Sequence, residues 1–531
     1  MQASDESRTT PGAMASYPGA MASNPGAMAS NPGAMASRSV AMARRPYLTA
    51  LTITLTALTT HAQPTWPHFA GTPARVSVSD NTPPPLATPS WVASTDLNGQ
   101  TVDFIGPAGV IADGIHVYAH AIANDEAYLF AFDRATGDLA WQSPIDDPNL
   151  SSWSTPALDD SRGLVVIASD NHFQGYDTST GDSLWSITLD TIVVNASPLI
   201  VTDLGRAYIT TFQPFGVSQL VCVDVDAGAT IWQVPIGPSS GSTPAFEDGI
   251  VYVATSGPPG LVMAFDAAAD DPPDPIWMTD NPEEHGFFGG PAIADGSLFV
   301  ASYNFNGGQL NSNLLKLDAT TGDVLWSTPS GRTDSTPIPT GDRVILSTGL
   351  FGFGAVPSVQ LFTDLGDGAQ LDWDSALDSW VDANNNGVIN PGEFLDIGNW
   401  NHQPIVIGDT LLVGSRTPGG NEYDANGDLR LIDLTRTPDD PDFVIDHNAT
   451  CGSTPALAGG DVYSVGVTGL HAFLATCEAD CNADGSLNIL DFVCFQGIFT
   501  AGDPGADCNA DGALNILDFV CYQQAFQSGC P

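Results

Sequence analysis

The stretch Ala131-Phe-Asp-Arg-Ala-Thr-Gly-Asp-Leu-Ala-Trp141 decides the fold, because it comes back as Gly175-Tyr-Asp-Thr-Ser-Thr-Gly-Asp-Ser-Leu-Trp185 and as Lys316-Leu-Asp-Ala-Thr-Thr-Gly-Asp-Val-Leu-Trp326. Looser copies occupy 222–232, 264–277, 361–373 and 431–443. A proline after small residues marks each unit, at Pro107, Pro156, Pro198, Pro244, Pro291, Pro337, Pro404 and Pro455, which makes eight units. Within the motif the Asp side chain can accept hydrogen bonds from the turn amides, and the Gly can take the positive φ that re-enters a strand, so the segment is a hairpin. The Trp then falls on an outer strand, where a large flat side chain can cover the seam between neighbouring sheets.

Each unit reads as four short strands; in the second they are expected at 155–158, 164–169, 173–177 and 183–189. Units that cannot bury both faces alone pack against one another around an axis. The last unit, 453–473, has inner strands but no Trp strand, whereas Trp91 heads a Trp strand with no unit before it. Together they make one blade. The expected fold is therefore all-β, an eight-bladed β-propeller over 63–476 closed by an N-terminal strand, which removes the open edge between first and last blades. The repeated segment resembles the tryptophan-docking motif of pyrroloquinoline-quinone (PQQ) repeat proteins. That family holds quinoprotein alcohol dehydrogenases and also propellers without catalysis, among them the scaffold lipoprotein of bacterial outer-membrane assembly; the resemblance speaks for fold more than for function.

An enzyme of that family, as the resemblance implies, stacks the quinone in the axial funnel beside calcium, an Asp base and usually an adjacent-cysteine pair. This chain has no adjacent cysteines and no Cys-x-x-Cys-His, and before residue 477 it has only Cys222 and Cys451. Arg332 and Arg343 are the candidates for clamping quinone carboxylates. PQQ is not expected as a cofactor, and no catalytic residue is assigned. No Gly-x-Ser-x-Gly strand-turn-helix and no His-Glu-x-x-His helix is present either. His285 and His402 lie beside blade-start segments, where a surface or hydrogen-bonded histidine is the simpler reading.

Apolar residues make up 43% of the 531, enough for a real core. Of 61 acidic residues 53 are Asp, against 14 Lys and Arg, so the formal charge is −47. Such a field repels phosphate backbones and anionic membrane surfaces and attracts cations, so nucleic acid is not an expected partner. Residues 1–41 repeat Pro-Gly-Ala-Met-Ala-Ser at Pro11, Pro18, Pro25 and Pro32 and have nothing to bury. Residues 42–62 read as a signal peptide cleaved after Ala62, with Met42 the expected true start, a secreted, periplasmic or cell-surface destination, and no membrane span in the mature chain.

The sharpest chemistry lies at 477–531. Asp480-Cys-Asn482-Ala-Asp484-Gly485-Ser486-Leu-Asn488-Ile-Leu-Asp491 is repeated as Asp507-Cys-Asn509-Ala-Asp511-Gly512-Ala513-Leu-Asn515-Ile-Leu-Asp518. Calcium takes six to eight hard oxygens, and side chains at positions 1, 3, 5 and 12 with the carbonyl at 7 and often a water at 9 supply them. The loops resemble the type I dockerin repeat, in which Asp stands at position 12 and one helix follows each loop, here 492–499 and 519–526. Leu487 and Leu514 would pair the loops back to back. A third loop, Asp382-Ala-Asn384-Asn-Asn386-Gly387-Val388-Ile-Asn390-Pro-Gly-Glu393, matches the EF-hand pattern within the longest inter-unit spacing. Calcium is the expected cofactor, two ions in the C-terminal module and a third at 382–393. Asp424-Ala-Asn426-Gly-Asp428 lacks the glycine and the final acid and reads as a turn.

Six cysteines fall at 477–531, the pattern of disulfides in an exported protein; their connectivity stays open, a Cys477–Cys530 clamp being the first guess. The dockerin resemblance implies docking to a cohesin-like or cell-envelope protein through 477–531, with Ile489-Leu490 and Ile516-Leu517 either at that surface or in the core. Three functions compete: a secreted calcium-binding scaffold, tied to polysaccharide only by association; a quinoprotein oxidoreductase; and an outer-membrane assembly scaffold. The propeller's ligand is unknown.

Overall fold

The computed structural model describes residues 65–106, 108–147, 152–351, 355–416, 426–475, 479–482, 487–509 and 512–528. The low-complexity repeat, the signal segment, Pro107, Asp424 and the pair Cys477 and Cys530 fall outside them.

Eight antiparallel sheets form the blades of a propeller. In blades two to eight the inner strand opens one residue after the marker proline: Ala157–Asp159, Leu199–Val201, Ala245–Glu247, Ala292–Ala294, Ile338–Thr340, Ile405–Ile407 and Ala456–Ala458. Proline has no amide to give to a ladder, so it sits just before one. Blade two departs from the expected four strands. Its sheet has three, because Leu164–Asp177 is one run carrying Asp170 at φ +45°, and the two expected strands meet with no residue left over for a loop.

The motif turns and tryptophans tie each blade to the next. Asp177 Oδ1 accepts from the amides of Ser179 (2.9 Å) and Thr180 (3.0 Å), and Asp318 Oδ1 from those of Thr320 and Thr321. Trp141 Nε1 donates to Thr178 O (2.9 Å), Trp185 to Val225 O (3.0 Å) and Trp277 to Ala319 O (3.1 Å), each acceptor in the following blade. The indole lies against the turn glycine. A Cβ on Gly181, at φ +74°, would stand 2.6 Å from Trp141, and one on Gly228 2.4 Å from Trp185. Only glycine allows both the conformation and the approach.

Closure uses the same contact. Trp91–Ala93 pairs antiparallel with Gly469–Phe473, Trp91 opposite Ala472, as the outer strand of blade eight. Trp91 Nε1 then donates to Arg134 O in blade one (3.0 Å) over Gly137.

The segment before Trp91 does more than lead into that strand. Trp66 exchanges backbone hydrogen bonds with Ala112 of blade one, Pro67 O accepts from Leu158 N, Pro73 O from Phe246 N, Ala74 O from Ile293 N and Ser77 O from Val406 N. Val78–Ser79 then runs parallel to Ile405–Ile407. Arg75, fully buried at φ +61°, donates Nε to Pro244 O (2.8 Å) and Nη2 to Pro198 O (2.9 Å). One irregular strap thus reaches the inner strands of blades one to five and seven, His68 Nε2 accepting from Ile200 N of blade three, and burial pulls the Arg75 guanidinium below its ordinary pKa.

Two outcomes are expected. Gly181→Ala meets both a forbidden φ and Trp141, whereas Gly366→Ala, also at positive φ, meets open space; the first should cost about 2 kcal/mol more in thermal unfolding. Burial lowers His68 and His402 to about 3 and His120 to about 4. His68 Nε2 accepts from Ile200 N and His402 Nε2 from Gly414 N, which requires neutral rings. The unfolded histidines titrate near 6.5, so this contribution is complete above that pH and should be lost as pH falls towards 3, read as a falling Tm.

Candidate functional site

Three loops share one hydrogen-bond scheme. In the first, Asp491 is fully buried, its Oδ1 accepting from Asn482 N (3.3 Å) and its Oδ2 from Asn488 N (2.8 Å). In the second, Asp518, also fully buried, accepts from Asn509 N (3.5 Å) and Asn515 N (2.7 Å). In the third, Glu393 accepts from Asn384 N (3.3 Å) and Asn390 N (3.2 Å). Each acid at position 12 thereby gathers positions 3 and 9. Position 1 is drawn to the glycine at position 6, with Gly512 N donating to Asp507 (2.8 Å) and Gly387 N to Asp382 (2.9 Å). Asn386 Oδ1 accepts from Val388 N, and Val388 O and Ala513 O accept from the position-9 amides Asn390 and Asn515 (2.7 Å each).

The Asn488 amide holds the Asp491 carboxyl below its usual value, and the Asn390 side chain does the same for Glu393. Residues 477–531 contain no Lys, Arg or His, so the C-terminal carboxylates have no cationic partner in their own segment. Ionised, oriented carboxylates with carbonyl and amide oxygens suit a hard cation such as calcium. Among the described residues no group of three His, Cys, Asp or Glu is poised for a metal. Asp484, Ser486 and Asp511 lie outside those residues; the other ligand candidates are the carboxylates of Asp382, Glu393, Asp480, Asp491, Asp507 and Asp518 together with amide and carbonyl oxygens.

Each C-terminal loop leads into a helix, α1 (Ile489–Ala501) and α2 (Ile516–Ser528), longer at both ends than expected; at the start of α1 Asn488 caps Leu490 N (2.8 Å) in a capping box with Asp491. Disulfides Cys481–Cys494 and Cys508–Cys521 pin each loop to its own helix. Phe495 stacks on Tyr522 at 3.9 Å, and Phe499 meets Phe519 at 4.6 Å, filling the core between the helices with Leu514 beside them. Ile489 (72% exposed), Leu490, Ile516 (71%) and Leu517 are at the surface instead.

The remaining sequence candidates lie in the propeller, His285 on the lining of a pocket of about 550 Å³. His402 is buried and hydrogen-bonded, while His285 Nε2 contacts Asn304 Nδ2 at 3.1 Å. Arg332 donates to Phe305 O and Gly307 O, and Arg343 pairs with Asp409 (2.9 Å). Burial pushes the Cys222 and Cys451 thiols up to about 12, out of the thiolate range. Near the axis, Phe69 of the strap, Trp153, Thr243, Phe288, Asp334 and Asn401 help line a cavity of about 30 Å³. That is the room of one water, too little for a three-ring quinone, although burial pushes Asp334 up to about 7. The sequence reading missed this plug.

The fold and its seams define a repeat propeller of the PQQ-like class. The profile of the family described as "Outer membrane protein assembly factor BamB" matches residues 91–212, 216–379 and 258–430, and the chain belongs to that family. BamB of Yersinia pestis is 28% identical over 160 residues, spanning 27% of this chain and 37% of that relative. The crystal structure of BamB from Moraxella catarrhalis superposes with TM-score 0.50 at 17% identity, covering 72% of this chain and 96% of that one. A europium-containing methanol dehydrogenase superposes at 0.53 with 11% identity, covering 89% and 96%. These likenesses speak for the fold. Among the described residues no helix is long and apolar enough to cross a membrane.

If Ile489, Leu490, Ile516 and Leu517 are surface groups, changing all four to Asp should leave the circular dichroism melt within about 0.5 kcal/mol per site, whereas Phe495→Ala should cost about 3 kcal/mol or more.

Proposed function

We propose that the chain is an exported propeller that works by binding, with a calcium-dependent C-terminal module of the dockerin type as its docking element. The observation that carries this is the shared loop scheme: three separate loops bring the acid at position 12 onto the amides of positions 3 and 9. In the C-terminal pair that acid is also buried. Calcium would neutralise these carboxylates and hold the module, whose small core and disulfides leave much of its stability to the ion. The exposed pairs Ile489-Leu490 and Ile516-Leu517 would then offer a duplicated apolar surface to a cohesin-like or cell-envelope protein.

Membership in the BamB-described family favours a second reading, a scaffold in outer-membrane assembly working outside the cytoplasm. Cross-linking that recovers β-barrel assembly proteins would favour it. Calorimetric titration of the metal-stripped chain with calcium tests the first reading. Uptake near three ions per chain is expected, with Asp491→Asn and Asp518→Asn together removing two; no saturable uptake would overturn it.

A further inference from the structure

On the propeller, connections of blades three to five surround a pocket of about 550 Å³. One wall is aromatic. Phe288 lies 4.6 Å from Tyr303 and 5.4 Å from Phe305, and Tyr303 lies 5.0 Å from Phe305. Another part of the lining comes from an irregularity in blade three. Gln213 pairs with Ser239, but the next pair is Ser218 with Gly237, so residues 214–217 loop out of the ladder. That bulge holds Phe215 100% exposed at the pocket, and Phe305 is 54% exposed. Bulges of this kind re-aim a side chain.

The charge of the pocket selects among ligands. Glu284 lines it, exposed and at φ +57°, a conformation unfavourable for a side chain of that size. With a formal charge of −47 on the chain, anions are repelled. A neutral apolar ligand would strip water from the Glu284 carboxylate and return nothing for it. A cation with an apolar body satisfies both surfaces, its charge against the carboxylate and the ring faces and its body against the phenylalanines. Arg332 already sits 5.9 Å from the Tyr303 ring centroid, 2% exposed, so Phe215 and Phe305 are better placed than Tyr303 to receive a second positive charge.

We propose that this pocket binds an organic cation of the substituted-ammonium class, held by Phe215, Phe305 and Glu284. The site belongs to the propeller and goes beyond the calcium-docking reading, so either can fail alone. Calorimetric titration of the calcium-saturated full chain with choline should give saturable binding. The uncharged carbon isostere of choline, and choline against Phe215→Ala or Glu284→Gln, should each bind about tenfold more weakly. Phe215 is wholly exposed, so its loss leaves the fold intact. Absence of choline binding, equal affinity for the isostere, or retention of full affinity by Phe215→Ala would overturn the proposal. Binding of a neutral disaccharide at least as tight as that of choline would do the same.

Discussion

Four of the eight blade seams lean on one contact, the indole of Trp91, Trp141, Trp185 or Trp277 laid across the turn glycine of the next blade with its N–H on a carbonyl there. A four-stranded sheet has two faces to cover and gets no help from its own chain; the tryptophan supplies the area and the hydrogen bond fixes the rotation between neighbours. Trp232 keeps the hydrogen bond, to Ala269 O (2.7 Å), over a turn without glycine, and Trp326 donates instead to the Asp364 carboxylate (3.0 Å). The turn after blade six belongs to 433–443, which has no glycine, and Trp373 Nε1 has no partner among the described residues, its ring resting 6.0 Å from Phe443. The long 375–404 connection with the third acidic loop joins these same two blades.

The ring is closed twice over. Trp91 completes the outer edge of blade eight, and the strap from Trp66 to Ser79 collects single hydrogen bonds from inner strands around the axis. Arg75 is the extreme case, a buried cation answered by backbone carbonyls alone. The strap's contacts with the inner strands are structural.

Turn chemistry and strand starts were legible because they depend on residues close in sequence: the Asp and Gly of the motif hairpins and the proline one residue before the inner strands of blades two to eight. Closure was legible too, since a Trp strand without a unit and a unit without a Trp strand can be matched by counting. The strap was not. It carries no copy of the repeat, and its partners are amides scattered over the whole chain. Cysteine positions alone left the disulfide pairing open; the loop-to-helix geometry decides it for four of them. Helical spacing accounts for the exposed isoleucines, because Phe492, Phe495 and Phe499 take the inward face of α1 and leave Ile489, Leu490 and Val493 outside. The pocket at Phe215 depends on a bulge that no local pattern announces.

The central claim, a ring shut by the N-terminal strand, is tested most directly by native-state hydrogen exchange of the peptides carrying Trp91–Ala93 and Gly469–Phe473. The account predicts that both exchange together, in the slow class of the other blade strands. Rapid exchange across Trp91–Ala93 while Gly469–Phe473 stays protected would contradict it.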